Sequence, residues 1–295
     1  MSQNNKNVPL GDMFLLAKIK NVFPNINWVT YNYIDEGWDH EVIILDGKIV
    51  FRFPIEPDYA AQLREEVDIV NGFKDIFNIT IPYYKYIAPD DSFAGYEIVP
   101  SKALFKEYFN SLEADDIEMI ASRLAGFLSI IHSLHIEDFK TVVVSDMPKW
   151  HQDMKDGIDK YLRDVLIKED IALVDKIIFD LEHVLKQHLP QALIHGDVYA
   201  RHIFWDDTTK KLGLIDFSDM NIGDPAFDFA ELYEYGEDFV EKVYAKYTGP
   251  KDETFLNRAK AYGRWIGVFM MIDHFIYHKT SFEIARQTFD NAKDY

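Results

Sequence analysis

No cysteine occurs in the 295 residues, which excludes disulfides, thiolate metal sites and cysteine nucleophiles. Long apolar runs are missing as well. The opening Met1-Ser-Gln-Asn-Asn-Lys6 has no apolar core of a secretion signal. The apolar run at 265–272 stops at Asp273, far short of a membrane span. A cytoplasmic protein without a membrane partner is the expectation. Basic residues are scarce: 31 Lys and Arg stand against 50 Asp and Glu, a formal net charge of −19. Binding a phosphate backbone needs clustered Lys and Arg, so no nucleic-acid partner is expected. Residues 212–241 hold no Lys or Arg, while Asp216, Asp219, Asp224, Asp228, Glu231, Glu234, Glu237, Asp238 and Glu241 all fall there. A cleft lined this way would steer a cation. A solvated helical surface with several N-caps is the alternative reading of the same acids.

What the chain does contain is globular in balance, 48% hydrophobic and 27% charged. The first hundred residues carry strand signals. Residues 27–33 are rich in β-branched and aromatic types, and 41–45 and 48–53 flank Asp46-Gly47, a strong hairpin signal. Residues 59–77 place Leu63, Val67, Val70 and Phe73 on one helical face. Strands are expected again at 82–87 and 93–99. Beyond Pro100, helical spacing takes over at 117–135, 158–167 and 171–188, followed by a strand-and-loop insert at 192–218 and further helices. The expected architecture is α+β. A small β-rich lobe, residues 1–99, precedes a larger, mainly helical lobe, residues 100–295, with the chemistry at the seam and Pro100 near the crossing.

That chemistry concentrates in Ala192-Leu-Ile-His-Gly-Asp-Val-Tyr-Ala-Arg-His-Ile-Phe-Trp205 and Leu212-Gly-Leu-Ile-Asp-Phe-Ser-Asp219. Asp197 stands in a tight polar loop after an apolar strand, His202 follows, and Asp216 ends the next strand. Phosphoryl transfer uses this layout: one carboxylate orients a hydroxyl, and a second, with a nearby polar side chain, holds the metal bridging the nucleotide phosphates. Asp197 is the candidate orienting carboxylate, a capping loop Asp being its bland alternative. Asp216 and His202 are the candidate Mg²⁺ ligands, and the carboxylate suits that hard ion better than the imidazole. His195 is read as fixing the loop. Paired with Asp197 it could instead serve a metal-dependent hydrolase, which would need more His and Asp at ligand spacing. Arg52 alternates with apolar neighbours in Ile49-Val-Phe-Arg-Phe-Pro54. Facing inward it would clamp nucleotide phosphates, held by Glu66 on the following helix; facing outward it is an ordinary strand arginine. Gly37 sits where a strand-turn-strand loop could cover phosphates, a weak signal standing alone. Backbone groups near Glu97 and Val99 could bond a purine edge.

With these residues in place, the chain resembles the aminoglycoside phosphotransferase family, the protein-kinase-like antibiotic kinases, over residues 27–277. The resemblance rests on Ile194-His-Gly-Asp-Val-Tyr-Ala-Arg-His202, Leu214-Ile-Asp-Phe-Ser-Asp219 and Asp224-Pro-Ala-Phe-Asp-Phe229. Phe127-Leu-Ser-Ile-Ile-His-Ser-Leu134 looks like the family's helix ending in Leu-His-Ser. It implies a two-lobed kinase fold that transfers the γ-phosphate of ATP or GTP, with Mg²⁺, to a hydroxyl of a cationic antibiotic, foremost an aminoglycoside. A macrolide or a non-drug metabolite is the alternative acceptor, and a catalytically inactive nucleotide-binding protein the alternative of another class.

The resemblance also assigns roles. Asp197 becomes the catalytic carboxylate, Asp216 the Mg²⁺ ligand, Glu66 the partner of the phosphate-binding cation and Asp228 a support of the loop. His202 stands where many members carry Asn, and the 2″-type aminoglycoside kinases and macrolide kinases are similar in having His. Two markers point to different subfamilies: Arg52 is similar to macrolide kinases, whereas Phe217 is similar to aminoglycoside kinases. An acceptor with several ammonium groups would draw on Asp219, Glu231, Glu234, Glu237, Asp238 and Asp273. A macrolide would need an apolar groove. Trp265, Phe269, Met270 and Met271 beside Asp273 read at helical spacing as core. A monomer is expected, with a dimer as the alternative.

Overall fold

The computed structural model describes residues 11–35, 39–99, 102–187 and 189–294. Two compact units emerge, residues 1–100 with 213–218, and residues 101–212 with 219–295.

The first unit is built on an antiparallel sheet of β1 (Tyr31–Ile34), β2 (His40–Leu45), β3 (Ile49–Pro54), β4 (Tyr84–Ile87) and β5 (Ala94–Glu97), ordered β1-β2-β3-β5-β4. The β2–β3 hairpin turns on Asp46 and Gly47, with φ of 49° and 61°. Two successive left-handed residues match the twist of the flanking strands, which is why an Asp-Gly pair marks such a turn. β1 is shorter than the expected 27–33, because the Asp46 carboxylate accepts the amides of Val29 and Thr30 at 2.9 and 2.7 Å. Side chains alternate across the sheet. Ile43, Leu45, Phe51 and Phe53 join Leu15, Leu16 and Ile19 of α1 (Asp12–Val22), Ala88 and Phe93 in the core of this unit. In the β2–β3 register Val42 lies opposite Arg52 and His40 opposite Pro54, so His40 and Arg52 share a face. α2 (Pro57–Gly72) packs on β3 and β4 with Glu66 buried. It ends before the expected residue 77; Asp75, at φ 64°, cannot continue a helix. Residues 213–218 complete the unit, the Leu214 amide bonding the Thr80 carbonyl at 2.9 Å.

The second unit is mainly helical. It contains α3 (Lys106–Phe109), α4 (Ala114–Ile131), α5 (Met147–Gly157), α6 (Lys168–Leu185), α7 (Glu237–Lys246), α8 (Phe255–Ile276) and α9 (Phe282–Asn291). α8 packs on α6 and α9, and α4 on α7. Ile120, Leu124, Leu128 and Ile131 of α4, Val174 and Leu181 of α6 and Val268 and Met271 of α8 are buried, the stripe that helical periodicity requires. The helix expected at 158–167 starts instead at Met147. Asp146 caps it by accepting the Lys149 amide, Pro148 sits in its first turn, and Ile158–Leu162 extends it as a π turn. Short strands accompany the helices: β6 (Lys102–Ala103), β7 (Ala192–Ile194), β8 (Ile203–Asp206), β9 (Lys211–Leu214) and β10 (Asn221–Gly223). β7 pairs with β10, and β8 lies between β6 and β9. The acidic stretch then winds into two 3-10 helices, Pro225–Phe229 and Glu231–Tyr235. Among the described residues no helix is long and apolar enough to cross a membrane.

Candidate active site

In the sheet unit Arg52 is 6% exposed, so it is not an outward-facing strand arginine. Its Nη1 donates to both Glu66 carboxylate oxygens at 2.7 and 2.8 Å and to the Tyr84 hydroxyl at 3.0 Å. Its Nη2 donates to His40 Nδ1 at 3.2 Å and to Asp216 Oδ1 at 3.0 Å. The Tyr84 hydroxyl donates to Glu66 at 2.7 Å, and Asn71 of α2 accepts the Tyr84 amide and donates to its carbonyl. Burial works against the Arg52 charge, but Glu66, Tyr84 and Asp216 outweigh it and hold the guanidinium cationic. Burial also pushes the Glu66 carboxyl up while Arg52 pulls it down. The groups facing its oxygens are donors, as a carboxylate requires. Asp216 adopts φ 66°, a left-handed conformation that costs a non-glycine residue about 1–2 kcal/mol. Strain of this kind persists where the surroundings over-determine it. Here Arg52 and the Ser218 hydroxyl, at 2.8 Å, both grip Asp216 Oδ1, and the side chain keeps 33% of its surface exposed.

In the helical unit β7 delivers the chain into His195-Gly196-Asp197. Gly196 has φ 84°, and a Cβ there would lie 2.3 Å from the Asp219 carbonyl oxygen. Only glycine fits. Asp228, 1% exposed, accepts the amides of His195 and Gly196 at 2.8 Å each, and His132 Nε2 donates to it at 2.9 Å. Burial alone would raise its carboxyl. The His132 and His195 rings and the Gly196 amide outweigh burial and hold it below the ordinary carboxylate value. His195 Nδ1 accepts the Asp197 amide at 3.3 Å, so the loop is tied down on both sides of Gly196. Asp197 keeps 25% of its side chain exposed, with Oδ2 3.1 Å from His202 Nδ1. That same nitrogen lies 3.2 Å from the Asp197 carbonyl. Facing two acceptors, Nδ1 carries a proton.

The acids around this loop divide. Burial raises Glu231 to about 8; Asp197 adds to the shift, His202 opposes it, and Glu234 and Asp219 contribute further. These groups therefore share one electrostatic neighbourhood. Burial also raises Glu234, with Lys106 opposing. Glu237 is exposed and pairs with Lys260 at 3.1 Å, and Asp238 is exposed. Asp273, 2% exposed on α8, is raised by burial, with Lys279 opposing. In the sheet unit Glu97 is exposed and pairs with Lys85 at 3.0 Å, whereas Val99 is buried. Gly37 and Pro100 lie outside the described residues.

Among the described residues no three His, Asp or Glu side chains converge as a metal cage, so the hydrolase reading finds no ligand set there. Mg²⁺ bound through one or two carboxylates plus phosphates and water needs no such cage, and the half-open Asp216 carboxylate has the right hard donors. Several residues of these networks carry no mark in the local sequence pattern. His40 and Tyr84 complete the shell of Arg52. Arg258, 1% exposed on α8, donates to Asp224 at 2.7 and 3.1 Å and to Asp252 at 2.8 and 2.9 Å, and the Tyr262 hydroxyl donates to Asp224 at 2.9 Å. Asp224 caps the 3-10 turn that presents Asp228. The available signals were a polar residue on the Arg52 face of β2 and an arginine inside a long, largely apolar helix.

The sequence profile described as the phosphotransferase enzyme family matches residues 30–253. Viomycin phosphotransferase of Streptomyces vinaceus is 36% identical over 62 residues, which are 20% of this chain and 22% of that relative's length. Among solved structures, an APH(2″) enzyme in complex with GDP and kanamycin superposes with a TM-score of 0.84 at 21% identity, covering 96% of this chain and 99% of that one. Macrolide 2′-phosphotransferase type I superposes with a TM-score of 0.68 at 18% identity, over 97% and 98% of the two chains. At these identities the likeness is one of fold: a kinase-like arrangement of an antiparallel sheet lobe and a helical lobe. The profile spans most of the chain, and its span holds both networks around Arg52 and Asp197; this protein belongs to the phosphotransferase enzyme family.

Proposed function

We propose that this protein is a small-molecule kinase that transfers the γ-phosphoryl group of ATP or GTP to a hydroxyl of a cationic antibiotic, with an aminoglycoside the foremost acceptor. The observation that carries the reading is Asp197, partly exposed on a loop whose backbone is held by Asp228 and His195. A carboxylate fixed this way can orient an acceptor hydroxyl in line and take its proton as the new O–P bond forms and the bond to the nucleoside diphosphate breaks. The roles of the remaining groups follow from their chemistry. Arg52, held by Glu66, supplies a fixed cation for the donor phosphates. Asp216 and the Nε2 of His202 would hold Mg²⁺, which when bound neutralises charge on the phosphates. The Nδ1–H of His202 facing Asp197 supports this, since a ligating imidazole is commonly oriented by a carboxylate at its other nitrogen.

The acceptor class rests on the acids. Asp197, Glu234 and Asp219 all act on Glu231, and burial raises both Glu231 and Glu234, so this group of acids suits a ligand that brings several ammonium groups. That favours an aminoglycoside over a macrolide with its single amine. Of the similar proteins, one is named for viomycin, one for macrolides, and one is an APH(2″) enzyme in complex with kanamycin, so the acceptor panel must span these classes. The test is to incubate the protein with Mg²⁺, ATP or GTP and that panel, and to identify products by mass spectrometry. A phosphorylated aminoglycoside that is absent with Asp197→Ala is the expected result. Phosphorylation of a macrolide alone would move the acceptor assignment. Nucleotide hydrolysis with no phosphorylated acceptor would overturn the kinase reading.

A further inference from the structure

His40 is a costly residue in its place. It is 4% exposed on β2, and its Nε2 has no hydrogen-bond partner among the described residues. An apolar side chain would fill the same space without an orphaned polar atom. What the imidazole offers instead is an acceptor. Arg52 is always a cation and can only donate, so the 3.2 Å contact from its Nη2 fixes His40 Nδ1 as the bare nitrogen and places the ring proton on Nε2. Burial and the adjacent guanidinium both keep the ring neutral, lowering it to about 3 against an opposing pull from Asp216.

The terminal nitrogens of Arg52 are then fully engaged. Nη1 serves Glu66 and Tyr84, while the two hydrogens of Nη2 go to His40 and Asp216. Glu66 and Tyr84 hold one arm of the fork. Without His40 the other arm would be held by Asp216 alone, the same carboxylate read above as the metal ligand. A guanidinium gripped at one arm can swing about that grip, and a misplaced charge weakens binding of a phosphate chain.

We propose that His40 is a positioning residue for donor-nucleotide binding, acting through Arg52. It holds the second arm of the guanidinium as a neutral acceptor, so that the aim of the cation does not depend on Asp216 alone, which would also serve as a metal ligand. The proposal rests on the reading of Arg52 as the phosphate-binding cation. It also gives a reason why arginine rather than lysine stands at position 52, because an ammonium cannot serve two opposed sets of acceptors from one planar fork.

The test compares His40→Leu, His40→Asn, Arg52→Ala and the His40→Leu/Arg52→Ala double variant by steady-state kinetics, with thermal unfolding on each. His40→Leu is expected to raise the nucleotide KM by about 10-fold with little change in kcat, the loss of one hydrogen bond to a charged group. His40→Asn, which returns an acceptor near the Nδ1 position, is expected to recover most of that loss. In the Arg52→Ala background His40→Leu is expected to add nothing. A His40→Leu nucleotide KM near wild type, or a full independent effect in the Arg52→Ala background, overturns the proposal. An Arg52→Ala nucleotide KM near wild type overturns the Arg52 reading itself. Nitrogen NMR of the ring in the wild-type protein is independent of turnover: protonation at Nε2 supports the geometry, and protonation at Nδ1 overturns it. That arm also decides the matter if the Leu variant fails to fold.

Discussion

Gly196→Ala would put a Cβ against the Asp219 carbonyl at a backbone angle that only glycine takes readily. It is expected to abolish turnover and to destabilise the fold by more than about 1 kcal/mol, checked by kinetics and denaturant unfolding. A fully active, equally stable variant would mean that the loop is looser than its hydrogen bonds imply. Asp216→Asn is expected to impair nucleotide binding and turnover together, since an amide would weaken the proposed Mg²⁺ site and remove the negative charge facing Arg52; parallel titrations with and without Mg²⁺ check this. The residues whose chemistry shows in short-range spacing could be read from sequence: Asp197 with His202, and Asp216 after its strand. The facing of Arg52 could not, because alternation in a strand offers two faces and one step of register exchanges them. Partners far along the chain left no trace either. Arg52 meets Asp216 across 164 positions, and His132 meets Asp228 across 96.

At the level of elements the buried α8 arginine makes the sharpest test. Arg258→Ala would leave Asp224 in the interior without its cation, and is expected to cost about 3–5 kcal/mol of unfolding free energy. Lys176→Ala removes an exposed pair with Asp180 at 3.0 Å and is expected to cost less than about 0.5 kcal/mol. Chemical denaturation of both variants checks the contrast, and equal losses would contradict the burial argument. Because Asp224 caps the turn bearing Asp228, Arg258→Ala should also slow turnover beyond what unfolding explains. Strand and helix types were readable where period and turn chemistry agreed, as at Asp46-Gly47 and along α4 and α6. Boundaries were not. α5 begins earlier than its apolar spacing suggests because a side-chain cap and a proline set its start, and the acidic segment folds as 3-10 turns because buried ties, not propensity, hold it.

For the whole molecule, a formal charge of −19 and an acid cluster near Asp197 make both salt and pH informative. Association with a polycationic acceptor should slow as ionic strength rises, since the screening length falls from about 10 Å at 0.1 M salt to about 3 Å at 1 M. Glu231, raised to about 8, holds a proton in the fold that the unfolded chain has already released above the ordinary carboxylate range. Its contribution to stability is therefore lost as pH rises toward 8, whereas affinity for an ammonium-bearing acceptor rises over the same window as the carboxylate forms. Calorimetry with an acceptor whose amines stay protonated should show that rise, and Glu231→Gln should flatten it; an unchanged profile in the variant would remove Glu231 from the acceptor site. The proposed division of labour gives Arg52, Glu66 and Asp216 to the nucleotide and Asp197 to the acceptor. Measuring Mg²⁺-nucleotide affinity and turnover side by side for Asp197→Asn addresses it without intermediaries. Turnover should fall by about 10²–10⁴-fold while the nucleotide Kd stays within about 3-fold of wild type; a nucleotide affinity that collapses in step with turnover would contradict the assignment.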